Sequence, residues 1–123
     1  VTTTIKSRAS RALISSALLL VVVTAGVSQS AQASPKPKSY SISISNFMFS
    51  PMKLTVTPGA TIKVTNKDTV IHTLTAMGGA FNTGNIAHNQ TKSFKAPMKP
   101  GTYDYICNIH QYMTGEIVVK KSK

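Results

Sequence analysis

The chain reads as a small all-β sandwich of seven or eight strands, and three observations predict it. Apolar and polar residues alternate over short runs, and turn-forming pairs punctuate those runs. Beyond the first 33 residues no amphipathic helix or internal repeat can be traced. A chain of 123 residues has room for one small domain at most.

The first element is not a strand. Lys6, Arg8 and Arg11 precede a mostly apolar stretch from Leu13 to Val27, and Ala31-Gln32-Ala33 supplies the small residues a signal peptidase requires. That order predicts a secretory signal over residues 1–33, cleaved after Ala33. The rival is an uncleaved anchor helix. Ser15, Ser16 and Thr24 interrupt its apolar run, which falls short of the roughly 18–20 residues that span a bilayer. No cysteine lies near the cleavage site, which excludes attachment through a lipidated cysteine.

Residues 34–39 carry Pro35, Pro37, Lys36 and Lys38 and suit an exposed linker ahead of a domain at 40–121. Ile42 and Ile44 then alternate with serines, Leu54 and Val56 with Lys53 and Thr55, and Ile62 and Val64 with Thr61 and Lys63. Each pattern marks a strand with one buried face. Further strands are expected at 70–76, 91–95, 102–107 and 116–120. Ser50-Pro51, Pro58-Gly59, Asn66-Lys67-Asp68, Gly78-Gly79 and Pro100-Gly101 mark the turns between strands. Together these suggest a small antiparallel sandwich.

The formal charge of +11 divides unevenly. Residues 34–123 hold 11 lysines, no arginine and three acids (Asp68, Asp104 and Glu116), a net of +8. Five of those lysines sit in the tails: Lys36, Lys38, Lys120, Lys121 and Lys123. Export and the lack of arginine, the commonest base reader, argue against nucleic acid. Attraction to an acidic partner or an anionic surface is compatible with the charge, and solvated tails account for most of the excess.

Chemistry concentrates in Cys107-Asn108-Ile109-His110-Gln111-Tyr112-Met113, where a thiol, an imidazole and a thioether recur every three residues. One tight loop could turn all three toward a point. In the strand before it, Tyr103, Tyr105 and Cys107 share the inward face by parity, and Asp104 takes the other. Val70, His72 and Leu74 share a face in the same way, which puts an imidazole on the apolar side of its strand. Two histidines, a cysteinate and a weak methionine form the donor set of a blue-copper electron-transfer site. Sulfur donors suit Cu(I), imidazoles serve both oxidation states, and no exchangeable water is needed. The candidate ligands are His72, Cys107, His110 and Met113.

With these residues placed, the chain resembles the cupredoxins, and within them the plastocyanin/amicyanin group. The likeness rests on Val64-Thr65-Asn66-Lys67-Asp68, His72-Thr73-Leu74-Thr75-Ala76, Phe81-Asn82-Thr83-Gly84 and Pro100-Gly101-Thr102-Tyr103, followed by the Cys107 loop. The short Cys-x-x-His-x-x-Met spacing is most similar to amicyanin. The resemblance covers about residues 40–120. It implies a Greek-key sandwich with one copper near its end, and a reversible one-electron shuttle as the activity. It implies electron exchange at His110, and Ile109, Tyr112 and Met77 are expected to make a small apolar docking surface around that residue. The expected protein is a monomer exported to a periplasm or cell surface, with no stable membrane anchor and no enzymatic activity. Its partners would be a redox donor and acceptor, and copper storage or delivery is the alternative function.

Three departures from the family pattern bear on rigidity. Gln111 stands where many relatives have proline after the second histidine, Thr73 where many have an asparagine that ties the ligand loops, and Ala87-His88-Asn89 where a Pro-Gly turn is common. Met48, Met52, Met77 and Met98 read as core gap fillers, and His88 as an exposed loop residue. A cysteine hydrolase would need a base and an orienting group around the thiolate, but Asp104 faces away from Cys107. A zinc site would prefer a harder fourth ligand than methionine, or would keep a water.

Overall fold

The structure is a computed structural model and describes residues 17, 19–23, 25, 26, 28 and 30–123. The chain divides into two compact units, Val1–Ala33 and Ser34–Lys123. Much of the stretch read as a secretory signal lies outside the described residues. Those of its residues that are described carry no regular secondary structure. No helix among the described residues is long and apolar enough to cross a membrane.

The second unit contains eight strands: β1 (Ser39–Ser45), β2 (Met48–Ser50), β3 (Lys53–Val56), β4 (Thr61–Asn66), β5 (Thr75–Ala76), β6 (Thr91–Lys95), β7 (Gly101–Ile106) and β8 (Thr114–Val119). They form two four-stranded sheets, ordered β2-β1-β4-β6 and β3-β8-β7-β5. The sandwich is mixed where an antiparallel one was expected, because β1 runs parallel to β4 and β3 parallel to β8. The cause is the crossing of the chain between sheets. After the β1–β2 hairpin it enters the other sheet as β3, then returns as β4 to the free side of β1.

Alternation in sequence becomes burial in the sandwich. Ile42, Ile44, Ile62 and Val64 are buried on one sheet, facing Val56, Tyr105, Ile117 and Val119 on the other. Aromatic rings fill the middle, with Phe49 edge-on to Tyr105 at 4.9 Å and Phe81 stacked on Phe94 at 4.5 Å. Gly115 lies opposite Tyr105 across the β7–β8 pair. A Cβ added there would overlap the phenol ring, so the missing side chain makes room for Tyr105.

Two expectations are corrected. Residues 70–76 do not form one strand; only Thr75–Ala76 pairs with β7. The buried Asn66 side chain captures the backbone instead, donating to the carbonyls of Val70 at 2.7 Å and Ile86 at 2.9 Å and accepting from Asp68 N–H at 2.9 Å. Val70 is consequently exposed while His72 and Leu74 are buried. Nor do Met48, Met52, Met77 and Met98 fill the core. All four are exposed, because the aliphatic and aromatic residues already occupy the interior.

Candidate metal centre

The candidate donors come from two places in the fold. Cys107 continues the inward row of Tyr103 and Tyr105 just past β7 and is fully buried. From there the chain makes a tight loop. Met113 N–H donates to His110 C=O at 2.9 Å, and Cys107 N–H donates to Met113 C=O at 3.1 Å. These bonds bring Met113 back beside Cys107, where it is also buried. His72 arrives from the other sequence segment, its backbone held to Ile86 in both directions at 3.2 and 2.8 Å.

The donor atoms converge. His72 Nδ1 lies 3.1 Å from His110 Nδ1, and Cys107 Sγ lies 3.7 Å from His72 Nδ1 and 3.9 Å from His110 Nδ1. These three residues form the metal-competent His/Cys group among the described residues. First-row metals bond imidazole nitrogen at about 2.0 Å and thiolate at about 2.3 Å, so a flat three-donor set would stand about 3.5 Å apart N to N and about 3.7 Å N to S. The observed separations match that pattern to within a few tenths of an ångström. Two imidazole lone pairs do not approach this closely without a proton or a cation between them. The donor set therefore fits a metal ion.

Sequence reasoning missed what holds His72. The Asp68 carboxylate accepts a hydrogen bond from His72 Nε2 at 2.9 Å. An ionised carboxylate can only accept, which puts the imidazole proton on Nε2 and leaves Nδ1 free to ligate. Burial works to raise the Asp68 pKa, but the N–H groups of Phe47 and Asn46, together with His72, hold it below its ordinary value. The signal in the sequence was present and misread. Asp68 stands four residues before His72 in a segment that reads as nothing more than a turn.

Thr73 bears directly on the site's rigidity. Its Oγ1 accepts from Asn108 N–H at 2.8 Å, and its own N–H points at Cys107 Sγ at 3.3 Å. A hydroxyl and its own backbone N–H thus tie the two ligand loops together. His88 is exposed as expected, with Nδ1 2.8 Å from the Asp68 carbonyl oxygen. His110 is half-buried, ringed by exposed Ile109 and Tyr112 and by Phe47, which composition and spacing had not singled out. Met77 is also exposed and, with Met52 and Tyr105, lines a cavity of about 400 Å³. Burial pushes the Tyr105 phenol pKa up.

Known proteins carry the same fold. Amicyanin-alpha of Methylorubrum extorquens is 28% identical over 103 residues, covering 80% of this chain and 85% of that protein. A solved Cu(I) form of an amicyanin mutant superposes with a TM-score of 0.62 at 23% identity, covering 69% of this chain and 85% of that one. A Cu-containing nitrite reductase from Thermus scotoductus SA-01 has a TM-score of 0.61 at 26% identity, but this chain matches only 24% of its length. The cupredoxin-like domain model matches residues 17–119, and with sandwich and donor cluster in agreement the chain belongs to the cupredoxin-like domain family.

Proposed function

We infer that this chain is a blue-copper electron-transfer protein, holding one copper ion through His72 Nδ1, Cys107 Sγ and His110 Nδ1, with the Met113 thioether as the weaker fourth donor. The observation that carries the reading is the convergence of those three atoms. When bound, copper supplies a one-electron couple between Cu(I) and Cu(II). The chain's own residues do the rest. Asp68 and Ile86 fix His72, Thr73 fixes the Cys107 loop, and the buried positions of His72, Cys107 and Met113 exclude water. A site held this way changes oxidation state with little ligand movement.

The protein is a carrier and not a catalyst. Of the four ligands only His110 reaches the surface, a route that suits an electron better than a substrate. Exposed Ile109, Tyr112 and Phe47 around it form an apolar docking surface for a redox partner. The partner is acidic. Among the three carboxylates of residues 34–123, Asp68 is committed to the ligand loop and Glu116 pairs with Lys53 at 2.7 Å, while lysines dominate the surface. Association should therefore slow as ionic strength rises, and stopped-flow rates independent of salt would remove the acidic partner. The basic lead, apolar stretch and Ala31-Gln32-Ala33 support export with cleavage after Ala33.

The test is direct. Protein loaded with Cu(II) should show intense visible absorption from thiolate-to-copper charge transfer, and Cys107→Ala should abolish it. A colourless adduct, or a blue one that survives the substitution, would sink the assignment.

A further inference from the structure

The β1–β2 hairpin turns through Asn46 and Phe47, both left-handed with φ of 53° and 57°. Ser45 and Met48 face each other across it. Two-residue turns with both central φ values positive ordinarily take Asn-Gly. Asparagine suits the first position, but a bulky aromatic at the second crowds its own backbone and carries a steric penalty that glycine would not. A local preference broken this clearly directs attention to the side chain.

The Phe47 ring stands perpendicular to both candidate ligand imidazoles, 5.3 Å from His72 and 5.1 Å from His110, with interplanar angles of 89° in each case. Tyr112 lies 6.4 Å from Phe47 on the outer side. The turn is fastened from below. Asp68 Oδ1 accepts Asn46 N–H at 2.7 Å, and Oδ2 accepts Phe47 N–H at 2.9 Å while also accepting from His72 Nε2 at 2.9 Å. One carboxylate thus holds the strained turn and the buried imidazole together.

We propose that Phe47 is a positioning residue of the metal centre: the strained hairpin presses its ring against both ligand imidazoles, and Asp68 sets the turn that presents it. His110 is half-buried, so rotation toward solvent is its route for leaving the donor cluster. The Phe47 ring blocks that rotation and shields the cluster. The consequence is slow loss of metal and a site that keeps its shape when its charge changes. This proposal rests on the copper reading of His72 and His110.

Two variants separate positioning from packing. Phe47→Gly removes the ring and the strain, whereas Phe47→Ala removes the ring and keeps the strain, so the glycine variant should melt higher than the alanine one. In metal-free protein, both should loosen the His72 and His110 rings, read as lower order parameters from imidazole carbon–proton relaxation, which the lost ring current of Phe47 does not itself change. Loaded with copper and challenged with a chelator, both should release the ion about tenfold faster than the unsubstituted protein, the effect of losing two aromatic contacts. Release rates that instead follow the melting temperatures, or that match the unsubstituted protein, would overturn the proposal, as would unchanged imidazole order parameters. Should the unsubstituted protein itself hold no copper, the copper reading falls, and the metal-free order parameters still decide whether Phe47 orders the two rings.

Discussion

Asp68 shows how much one side chain can organise. Its two oxygens accept hydrogen bonds from Asn46 N–H, Phe47 N–H and His72 Nε2, joining the hairpin turn to the ligand loop. Those bonds favour the ionised carboxyl and hold its pKa below the ordinary 3.8 despite burial. The contribution to stability is therefore complete above about pH 4 and is lost as pH falls through the folded value. In metal-free protein, Asp68→Asn should lower unfolding stability at pH 7 by about 1–3 kcal/mol, the usual worth of hydrogen bonds to a charged group. It should also flatten the loss of stability below pH 4. Urea unfolding at several pH values measures both, and parallel curves for the two proteins would show that the Asp68 charge plays no part. The residue scale is also where sequence reading was least complete. His72, Cys107, His110 and Met113 stand out by type and spacing, because few residue types bind soft metals. Asp68 and Phe47 belong to common types, and apart from the local Asp68–His72 bond their roles arise from contacts across 21 or more residues of chain.

The elements were legible wherever a strand buries one face and shows the other to water. β1, β3, β4, β6, β7 and β8 all announce themselves by alternation or by bounding turns, since that pattern is what a half-buried strand requires. Residues 70–76 mislead because alternation records burial, not pairing. His72 and Leu74 are buried by the loop that Asn66 holds, with only a short ladder to β7. β2 was hidden because its three residues are too few to show a period. The β7–β8 pair carries the site, since it fixes both ends of the Cys107–Met113 loop, and within it Gly115 makes room for the Tyr105 ring. Gly115→Ala would push the Tyr105 ring out of its place between Phe49 and β8. An overpacked core costs about 1–3 kcal/mol, and the strain would fall on the strand that ends at Cys107. The variant should unfold at lower denaturant and, when loaded with copper, show a shifted charge-transfer band. An unchanged midpoint would mean that Tyr105 has room to move.

At the scale of the whole molecule, the puzzle is how 90 residues stay folded without a disulfide, the single cysteine having no partner. Two four-stranded sheets bury a continuous core, but a domain this small has limited apolar surface to remove from water. The donor cluster joins the loop before β5 to the loop between β7 and β8, so a bound ion cross-links segments 35 residues apart. Any ligand that binds only the folded state stabilises it by mass action, by about 4 kcal/mol at a thousandfold excess over its dissociation constant. For a domain of this size each kcal/mol shifts the melting temperature by about 4–8 °C. Copper loading should therefore raise the melting temperature by roughly 15–30 °C under those conditions. Because residues 34–123 form a compact unit containing every proposed ligand, that segment alone should show the same rise as the full chain. Calorimetry of metal-free and copper-loaded forms of both chains measures it. A rise of only a few degrees would mean that the metal is held too weakly to act as the missing cross-link, and a rise seen only in the full chain would place part of the site within residues 1–33.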